Sequence, residues 1–132
     1  MKEGVEMAQS LNTKIDFVIP ATSFLGFTSY GKVMVGDKAF EYYNDKNVDD
    51  YIQIPWEEVD YIAASVIGKK HINRFVIFTK KDGKFSFSSR DNKKLLRAVR
   101  EYVPSDRMVK SDTFFKVVKR GFLSIFKRRG NK

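Results

Sequence analysis

The chain has 132 residues, 42% of them hydrophobic and 14% aromatic, and this length predicts one domain with its own core. It contains no cysteine and one histidine, which excludes disulfides, thiolate metal sites, cysteine nucleophiles and histidine-cluster metal sites. The net charge of +9 is uneven: residues 1–60 carry −6, residues 61–111 carry +9 and residues 112–132 carry +6. A segregated basic half attracts phosphates, anionic lipid or an acidic protein surface, and the plain alternative is a solvated basic face.

No apolar run approaches the roughly 20 residues that a membrane-spanning helix needs, and residues 1–7 lack the apolar core of a signal peptide. We therefore expect a cytoplasmic protein that is not integral to a membrane. No glycine-rich phosphate loop occurs in the sequence, and we expect no cofactor.

The first half of the chain predicts short strands between turns. Residues 1–13 are polar and unpatterned, and we expect a loose lead-in before a strand at residues 14–19 that Pro20 closes. We expect residues 21–30 to form a loop or short strand whose aromatic side chains tuck under the fold.

Glycine turns predict two hairpins further along. Gly36 and Asp37 separate two strand-like runs, and Asp82 and Gly83 separate two more. Residues 51–62 predict a strand, a corner and a second strand. The chain therefore contains about seven predicted antiparallel strands.

After residue 90 the apolar period changes to that of a helix, which Ser89 or Asp91 can cap and which Pro104 must end. The predicted domain covers residues 14–103, and residues 104–111 form a predicted linker. The apolar stripe expected to lie on the sheet consists of Leu95, Leu96, Val99, Tyr102 and Val103. The basic side chains expected mostly outside are Lys93, Lys94, Arg97 and Arg100.

A second, amphipathic basic helix is predicted over residues 112–129, with an apolar and a cationic face and a length of about 27 Å. Its apolar face can lie in an anionic membrane surface, bind a membrane protein, pack on its own domain or pair with a second copy of the chain. The candidate membrane or partner contacts are Phe114, Phe115, Lys116, Lys119, Arg120, Phe122, Phe126, Lys127, Arg128 and Arg129.

The order of elements favours an α+β, mainly β fold. A pleckstrin-homology-like or GRAM-like barrel of about seven antiparallel strands with a capping C-terminal helix has this order, and so does an α+β sandwich. Lipid-headgroup binders of the pleckstrin type usually carry cations in the loop after the first strand. Residues 21–30 carry none, so we do not expect headgroup binding there.

Four sequence blocks resemble a family of Gram-positive bacteria. They are residues 22–26, 30–32, 36–41 and 50–59, and the last contains Ile-Pro-Trp-Glu-Glu-Val. Over about residues 10–126 the chain resembles domain-of-unknown-function family 956. Genes of that family commonly lie in operons for mannose-class sugar phosphotransferase systems, so the resemblance implies an operon regulator or an accessory protein.

The central corner supplies the candidate partner-binding residues Trp56, Glu57 and Glu58. The tryptophan either anchors the core or acts as a binding hot spot. We expect the two carboxylates to form a solvated corner, because no nucleophile or metal ligand accompanies them. His71 is considered because phosphotransferase proteins pass phosphate through histidines. No phosphate-stabilising donors are identifiable near it, and we expect a solvated side chain.

Together these features predict a non-enzymatic accessory or regulatory protein of a mannose-class phosphotransferase system. Its expected partners are permease components, contacted at the inner face of the cell membrane, and a homo-oligomer remains open. The alternative is a nucleic-acid-binding transcriptional regulator of the sugar-uptake operon, since basic side chains contact phosphates and aromatic ones stack on bases. The sequence shows neither a helix-turn-helix pair nor a ribonucleoprotein-type aromatic motif, which disfavours that alternative.

Overall fold

The computed structural model describes residues 9–68 and 71–110. These residues form eight strands, one α-helix and two 3₁₀ turns, at Trp56–Glu58 and Ser105–Arg107. The strands and the helix are β1 (Ile15–Ser23), β2 (Ser29–Gly36), β3 (Ala39–Asn44), β4 (Tyr51–Pro55), β5 (Val59–Ile67), β6 (His71–Thr79), β7 (Lys84–Ser89), α1 (Asn92–Val99) and β8 (Met108–Lys110).

The strands form one sheet in the order β4-β3-β2-β1-β7-β6-β5-β8. Neighbouring strands are antiparallel except β5 and β8, which are parallel. The predicted α+β, mainly β class is confirmed. The predicted barrel is not confirmed, because within the described residues β4 and β8 end the sheet and it does not close.

Both predicted glycine hairpins form. Asp37 lies in the turn between β2 and β3, and Asp82, with a φ of 69°, lies in the turn between β6 and β7. Thr79 closes the second turn, since its hydroxyl accepts a hydrogen bond from the N–H of Gly83 over 2.8 Å. In the second turn Asp82 supplies the positive φ, an angle that aspartate tolerates better than most residues.

The first strand extends beyond the predicted end at Pro20. Pro20 pairs with Lys32 of β2, whereas pairing between β1 and β7 begins only at Ala21, opposite Ser89. A proline has no N–H to donate, so it fits a strand at a residue that has a neighbour on one side only. The proline therefore marks the start of double pairing rather than the end of the strand.

Helix α1 follows the predicted amphipathic pattern. The Asp91 carboxylate caps it by accepting a hydrogen bond from the N–H of Lys94 over 3.1 Å. Leu95, Leu96 and Val99 are buried in the main core cluster. The helix is shorter than the predicted three turns, since it ends at Val99 and a turn carries the remaining apolar residues toward Pro104.

Residues 24–28 connect β1 and β2, and the expectation that their aromatic side chains tuck under the fold is wrong in part. Phe27 is 94% exposed and Leu25 is 52% exposed. Phe24 is half-buried, with the Arg74 guanidinium carbon 4.4 Å from its ring centroid. Residues 25–28 are all exposed, so the sheet does not cover this part of the connection.

The segment expected to be a linker, residues 104–111, is structured as far as it is described. It contains the turn Ser105–Arg107 and then β8, which pairs with β5 from Ile62 to Ala64. Residues 9–13, expected to be part of a loose lead-in, bind the β2–β3 hairpin. The predicted helix at residues 112–129 lies outside the described residues.

Candidate functional site

A groove of about 420 Å³ opens between α1 and the paired strands β5 and β8. Its floor is the edge of the main core cluster. Ile62, Ala64 and Leu96 belong to that cluster and line the groove. Met108 of β8 packs against the same cluster and contributes one wall. The groove therefore exists because β8 adds a strand beside β5 and leaves a gap beneath the helix.

Three basic side chains line the groove: Lys93 and Arg97 of α1, and Arg100, the residue that follows the helix. Their spacing of i, i+4 and i+7 places them on one side of a helix. All three are exposed, and none forms an ion pair with another described residue. The groove thus combines an apolar floor with a cationic rim.

One further cation near the rim is already paired. Arg107 Nη1 lies 3.7 Å from Asp60 Oδ1 and donates a hydrogen bond of 2.8 Å to the Asp60 carbonyl oxygen. This contact fixes the turn at residues 105–107 against the start of β5. This pairing does not involve Lys93, Arg97 or Arg100, whose positive charges can therefore meet a ligand from outside.

The groove has the chemistry of a binding site. Its lining residues include one hydroxyl, on the exposed Ser105, and no cysteine or histidine. The described part of the chain contains no group of three or more side chains placed to hold a metal ion. An apolar floor beneath three cations suits a ligand or side chain that joins an apolar body to a carboxylate or phosphate.

Trp56 lies in the turn between β4 and β5, half-buried against the end of the helical segment. Its ring stacks on Tyr102, with centroids 5.1 Å apart and planes 7° from parallel. Its indole Nε1–H donates a 2.9 Å hydrogen bond to the carbonyl oxygen of Gly36. Trp56 therefore joins the corner, the β2–β3 hairpin and the chain after α1.

Glu57 and Glu58 follow in the same turn and are exposed. Neither forms an ion pair with a described residue, and neither lines the groove. The three candidate residues of the corner are thus adjacent in space, but the structure does not bring them to the basic rim. His71 is exposed at the start of β6, and its ring has no hydrogen bond with another described residue.

A second polar cluster, which sequence reasoning missed, lies at the opposite end of the sheet. We call residues 9–14 the strap. Glu41 of β3 is 0% exposed, and its carboxylate accepts hydrogen bonds from Ser10 Oγ over 2.6 Å and the Leu11 N–H over 2.7 Å. Asn12 Oδ1 accepts from the N–H groups of Lys38 and Ala39, each over 2.7 Å.

The strap also binds the tip of the β2–β3 hairpin. The Thr13 hydroxyl donates to the Asp37 carboxylate, which also accepts from the backbone N–H groups of Thr13 and Lys14. The hydroxyl bond is the main reason that the pKa of Asp37 falls from 3.8 to about 2. No periodic pattern marks residues 9–14. The signal available in the sequence was a lone carboxylate, Glu41, between Phe40 and Tyr42.

The sequence predicted the side chains of the cationic rim only as part of a solvated helix face. The spacing of Lys93, Arg97 and Arg100 could have shown that they share a side. The groove forms because β8 lies opposite that side. This strand has three residues and lies in the segment predicted to be a linker.

A family model described as "Domain of unknown function (DUF956)" matches residues 7–122. The chain belongs to this family. The match includes the strap, the whole sheet, α1 and all residues of the groove. It assigns no activity to the DUF956 domain.

Among solved structures, the DUF956 chain is similar to "Crystal structure of the C-terminal domain of an unknown protein from Leishmania infantum". The identity is 11% and the TM-score is 0.60, with 67% of this chain and 83% of that chain covered. At this identity the likeness concerns the fold alone. No curated protein matches the chain.

Within residues 9–68 and 71–110, none of the helices has the length and apolar character required to cross a bilayer. The ten candidate contact residues of the predicted terminal helix lie beyond this range.

Proposed function

We propose that this DUF956 protein is a non-enzymatic accessory or regulatory protein of a mannose-class sugar phosphotransferase system. It acts through protein contacts at the cytoplasmic face of the membrane. The observation that supports this proposal is the groove, whose apolar floor lies beneath Lys93, Arg97 and Arg100, none of which forms an ion pair with another described residue. Such a site binds an acidic partner segment that carries an apolar residue.

The energetics fit a reversible contact. An apolar side chain buried on the groove floor contributes up to about 1.5 to 3 kcal/mol. An ion pair at an exposed rim contributes up to about 1 kcal/mol. One inserted side chain and two rim pairs therefore give at most about 3.5 to 5 kcal/mol before ordering costs, so further contacts must add to the affinity.

We also propose that the sheet is an open variant of the pleckstrin-homology-like fold. Two observations support this. Strand β1 pairs with both β2 and β7, which brings the first and seventh strands together. Helix α1 follows β7 directly and packs its apolar stripe on the core.

The test is capture of permease subunits from native membranes of a cell that expresses a mannose-class phosphotransferase system. The groove variant carries Arg97→Glu and Arg100→Glu. The matched control carries Lys81→Glu and Lys94→Glu, which make the same change in net charge at exposed residues that do not line the groove. We expect mass spectrometry to detect permease subunits with the wild type and the control and at least a tenfold reduction with the groove variant, equivalent to about 1.4 kcal/mol.

Equal capture by both variants would contradict the proposal. A salt-sensitive mobility shift of operon DNA that is lost in both charge variants would instead favour the nucleic-acid-binding regulator. Contacts with phosphates require basic side chains, and the basic side chains in the described C-terminal half support that alternative.

A further inference from the structure

Strand β4 forms one edge of the sheet, because among the described residues it pairs with β3 and with no other strand. Its sequence, Tyr-Ile-Gln-Ile-Pro, contains no charged side chain. Edge strands are usually protected by lysine, a bulge or a covering segment, because their free backbone groups otherwise pair with another chain. The register of β3 with β4 contains no bulge, and the proline comes only at the last residue of the strand.

The hydrogen bonds at the two ends of β4 show which backbone groups bond to β3. The backbone N–H of Asn44 donates to the carbonyl oxygen of Asp50 over 3.1 Å, and that of Trp56 donates to the carbonyl oxygen of Lys38 over 3.1 Å. Both pairs continue the register of β3 with β4. Hydrogen-bonded pairs alternate along antiparallel strands, so every second residue of β4, starting at Ile52, also bonds to β3.

The intervening residues Tyr51, Gln53 and Pro55 therefore direct their backbone groups away from β3. Ala39, which lies opposite Pro55, agrees with this alternation, since its N–H points away from β4 and donates to Asn12 Oδ1 over 2.7 Å. A proline has no N–H, so the free side of β4 presents two N–H groups and three carbonyl oxygens. We call this row of five backbone groups the β4 edge.

The two faces of β4 determine which side chains an added strand can carry. Ile52 and Ile54 belong to the main core cluster. On the other face, Tyr51 is exposed and its ring centroid lies 6.2 Å from that of Tyr43. The Gln53 side chain donates to the Tyr43 hydroxyl over 3.1 Å. A strand added at the β4 edge would place apolar side chains beside the isoleucines and polar or aromatic ones beside the tyrosine.

Carboxylates flank β4 at both ends. Asp49 precedes the strand, and Glu57 and Glu58 follow it in the turn at residues 56–58. All three are exposed, and none forms an ion pair with another described residue. Antiparallel pairing of two copies centred on Gln53 would bring Asp49 of one copy opposite Glu57 of the other, and these like charges would repel. The flanks instead attract an extended segment that is basic at both ends.

We propose that the β4 edge binds an extended segment of a partner protein, which adds a strand to the sheet. The segment carries lysine or arginine on both sides of an uncharged stretch about as long as β4, roughly 17 Å. Backbone hydrogen bonds to Tyr51, Gln53 and Pro55 hold the strand, and Asp49 and Glu57 select its basic flanks. This surface is opposite in charge to the groove, so it takes a different class of segment and does not depend on the function proposed for the groove.

The first test measures whether the backbone of β4 is the binding group. The probe is a synthetic peptide, Thr-Val-Thr-Val-Thr between two pairs of lysines, added to the full chain at low salt. Amide hydrogen exchange is followed by NMR. We expect the N–H groups of Tyr51 and Gln53 to exchange rapidly in the free protein and at least tenfold more slowly with bound peptide. The N–H groups of Ile52 and Ile54, which already bond to β3, should change less.

Three results of this test would overturn the proposal. The first is unchanged exchange of Tyr51 and Gln53 at millimolar peptide. The second is slow exchange of both N–H groups in the free protein at every protein concentration, because the edge would then already be covered. The third is slow exchange that appears only as the protein concentration rises, because the edge would then belong to a second copy of the chain.

Two altered peptides separate backbone pairing from charge. Glutamate in place of the lysines should weaken binding at least fivefold, because the flanking carboxylates then repel the peptide. Methylation of two successive central backbone nitrogens keeps the charge and blocks both edges of the peptide strand, so we expect at least a tenfold loss of affinity. Binding of the methylated peptide with unchanged affinity would overturn the proposal, because charge alone would then explain the contact.

Matched variants of the protein test the flanking carboxylates. Asp49→Asn with Glu57→Gln removes one carboxylate at each end of β4. Asp82→Asn with Asp106→Asn makes the same change in net charge at exposed residues in other turns, and asparagine tolerates the positive φ at residue 82. With a fluorescein-labelled peptide and fluorescence anisotropy, we expect at least a fivefold loss of affinity in the first variant and less than a twofold change in the second. Equal affinities of the two variants would overturn the proposal.

Discussion

Trp56 offers a direct test of whether the central corner is an anchor or a binding surface. Trp56→Phe keeps an aromatic ring against Tyr102 but removes the indole N–H that binds the carbonyl of Gly36, a buried residue. Leaving that acceptor unpaired costs about 1 to 3 kcal/mol. The smaller ring loses about 0.5 to 1 kcal/mol of half-buried area, so we expect a loss of about 1.5 to 4 kcal/mol in the free energy of unfolding.

Urea unfolding followed by far-ultraviolet circular dichroism measures this loss, because the substitution removes the chain's single tryptophan as a fluorescence probe. The m-value should stay constant. A double-mutant cycle with Tyr102→Leu isolates the stacking contribution, expected at about 0.5 to 1.5 kcal/mol. Tyr102→Phe is the matched control, since it keeps the ring and removes only the hydroxyl that donates to Asp16.

A Trp56→Phe variant within about 0.5 kcal/mol of the wild type would refute the anchoring role. If that variant also lost capture of permease subunits, Trp56 would belong to a partner-binding surface. We expect the reverse result, with stability reduced and capture by the folded variant retained.

Two further predictions concern the strap and the sheet. The folded-state pKa of Asp37, about 2, lies below its ordinary 3.8, so its contribution to stability is present above about pH 4 and is lost as the pH falls toward 2. Thr13→Ala should flatten the unfolding free energy across that window, and an unchanged pH profile would contradict this. In Gly31→Ala, the added Cβ would lie 2.0 Å from the carbonyl oxygen of Tyr43. We expect a loss of about 1 to 3 kcal/mol by urea unfolding, whereas a stability equal to that of the wild type would show that β2 and β3 can separate there.

Local sequence patterns predicted the elements whose signals are short-range. The β6–β7 hairpin formed where Asp82 supplies the positive φ that its turn needs. Helix α1 formed where Leu95 and Val99 recur at helical spacing after an Asp91 cap. In these cases the residues that carry the signal also make the contacts.

The features that the sequence did not reveal depend on long-range partners. Strand β8 has three residues and exists because β5 offers an unpaired edge at Ile62. The strap is ordered by Glu41, a residue 30 positions away from Leu11. The groove could be predicted only in part for the same reason. The sequence shows the spacing of its basic side chains, but it does not show that Met108 of β8 lies opposite them.

The pairing of β1 with β7 also determines the order in which parts of the fold can form. Ser23 pairs with Phe87, so the partners that join the two halves of the sheet lie 64 positions apart in the chain. The β2–β3 and β6–β7 hairpins need only short loops. Closing a loop of this length costs about 4 kcal/mol of chain entropy, and this cost is met before packing of the main core stabilises the product. Joining β1 to β7 is thus the step expected to limit the folding rate, and the nascent chain cannot complete it until residue 87 has been synthesised.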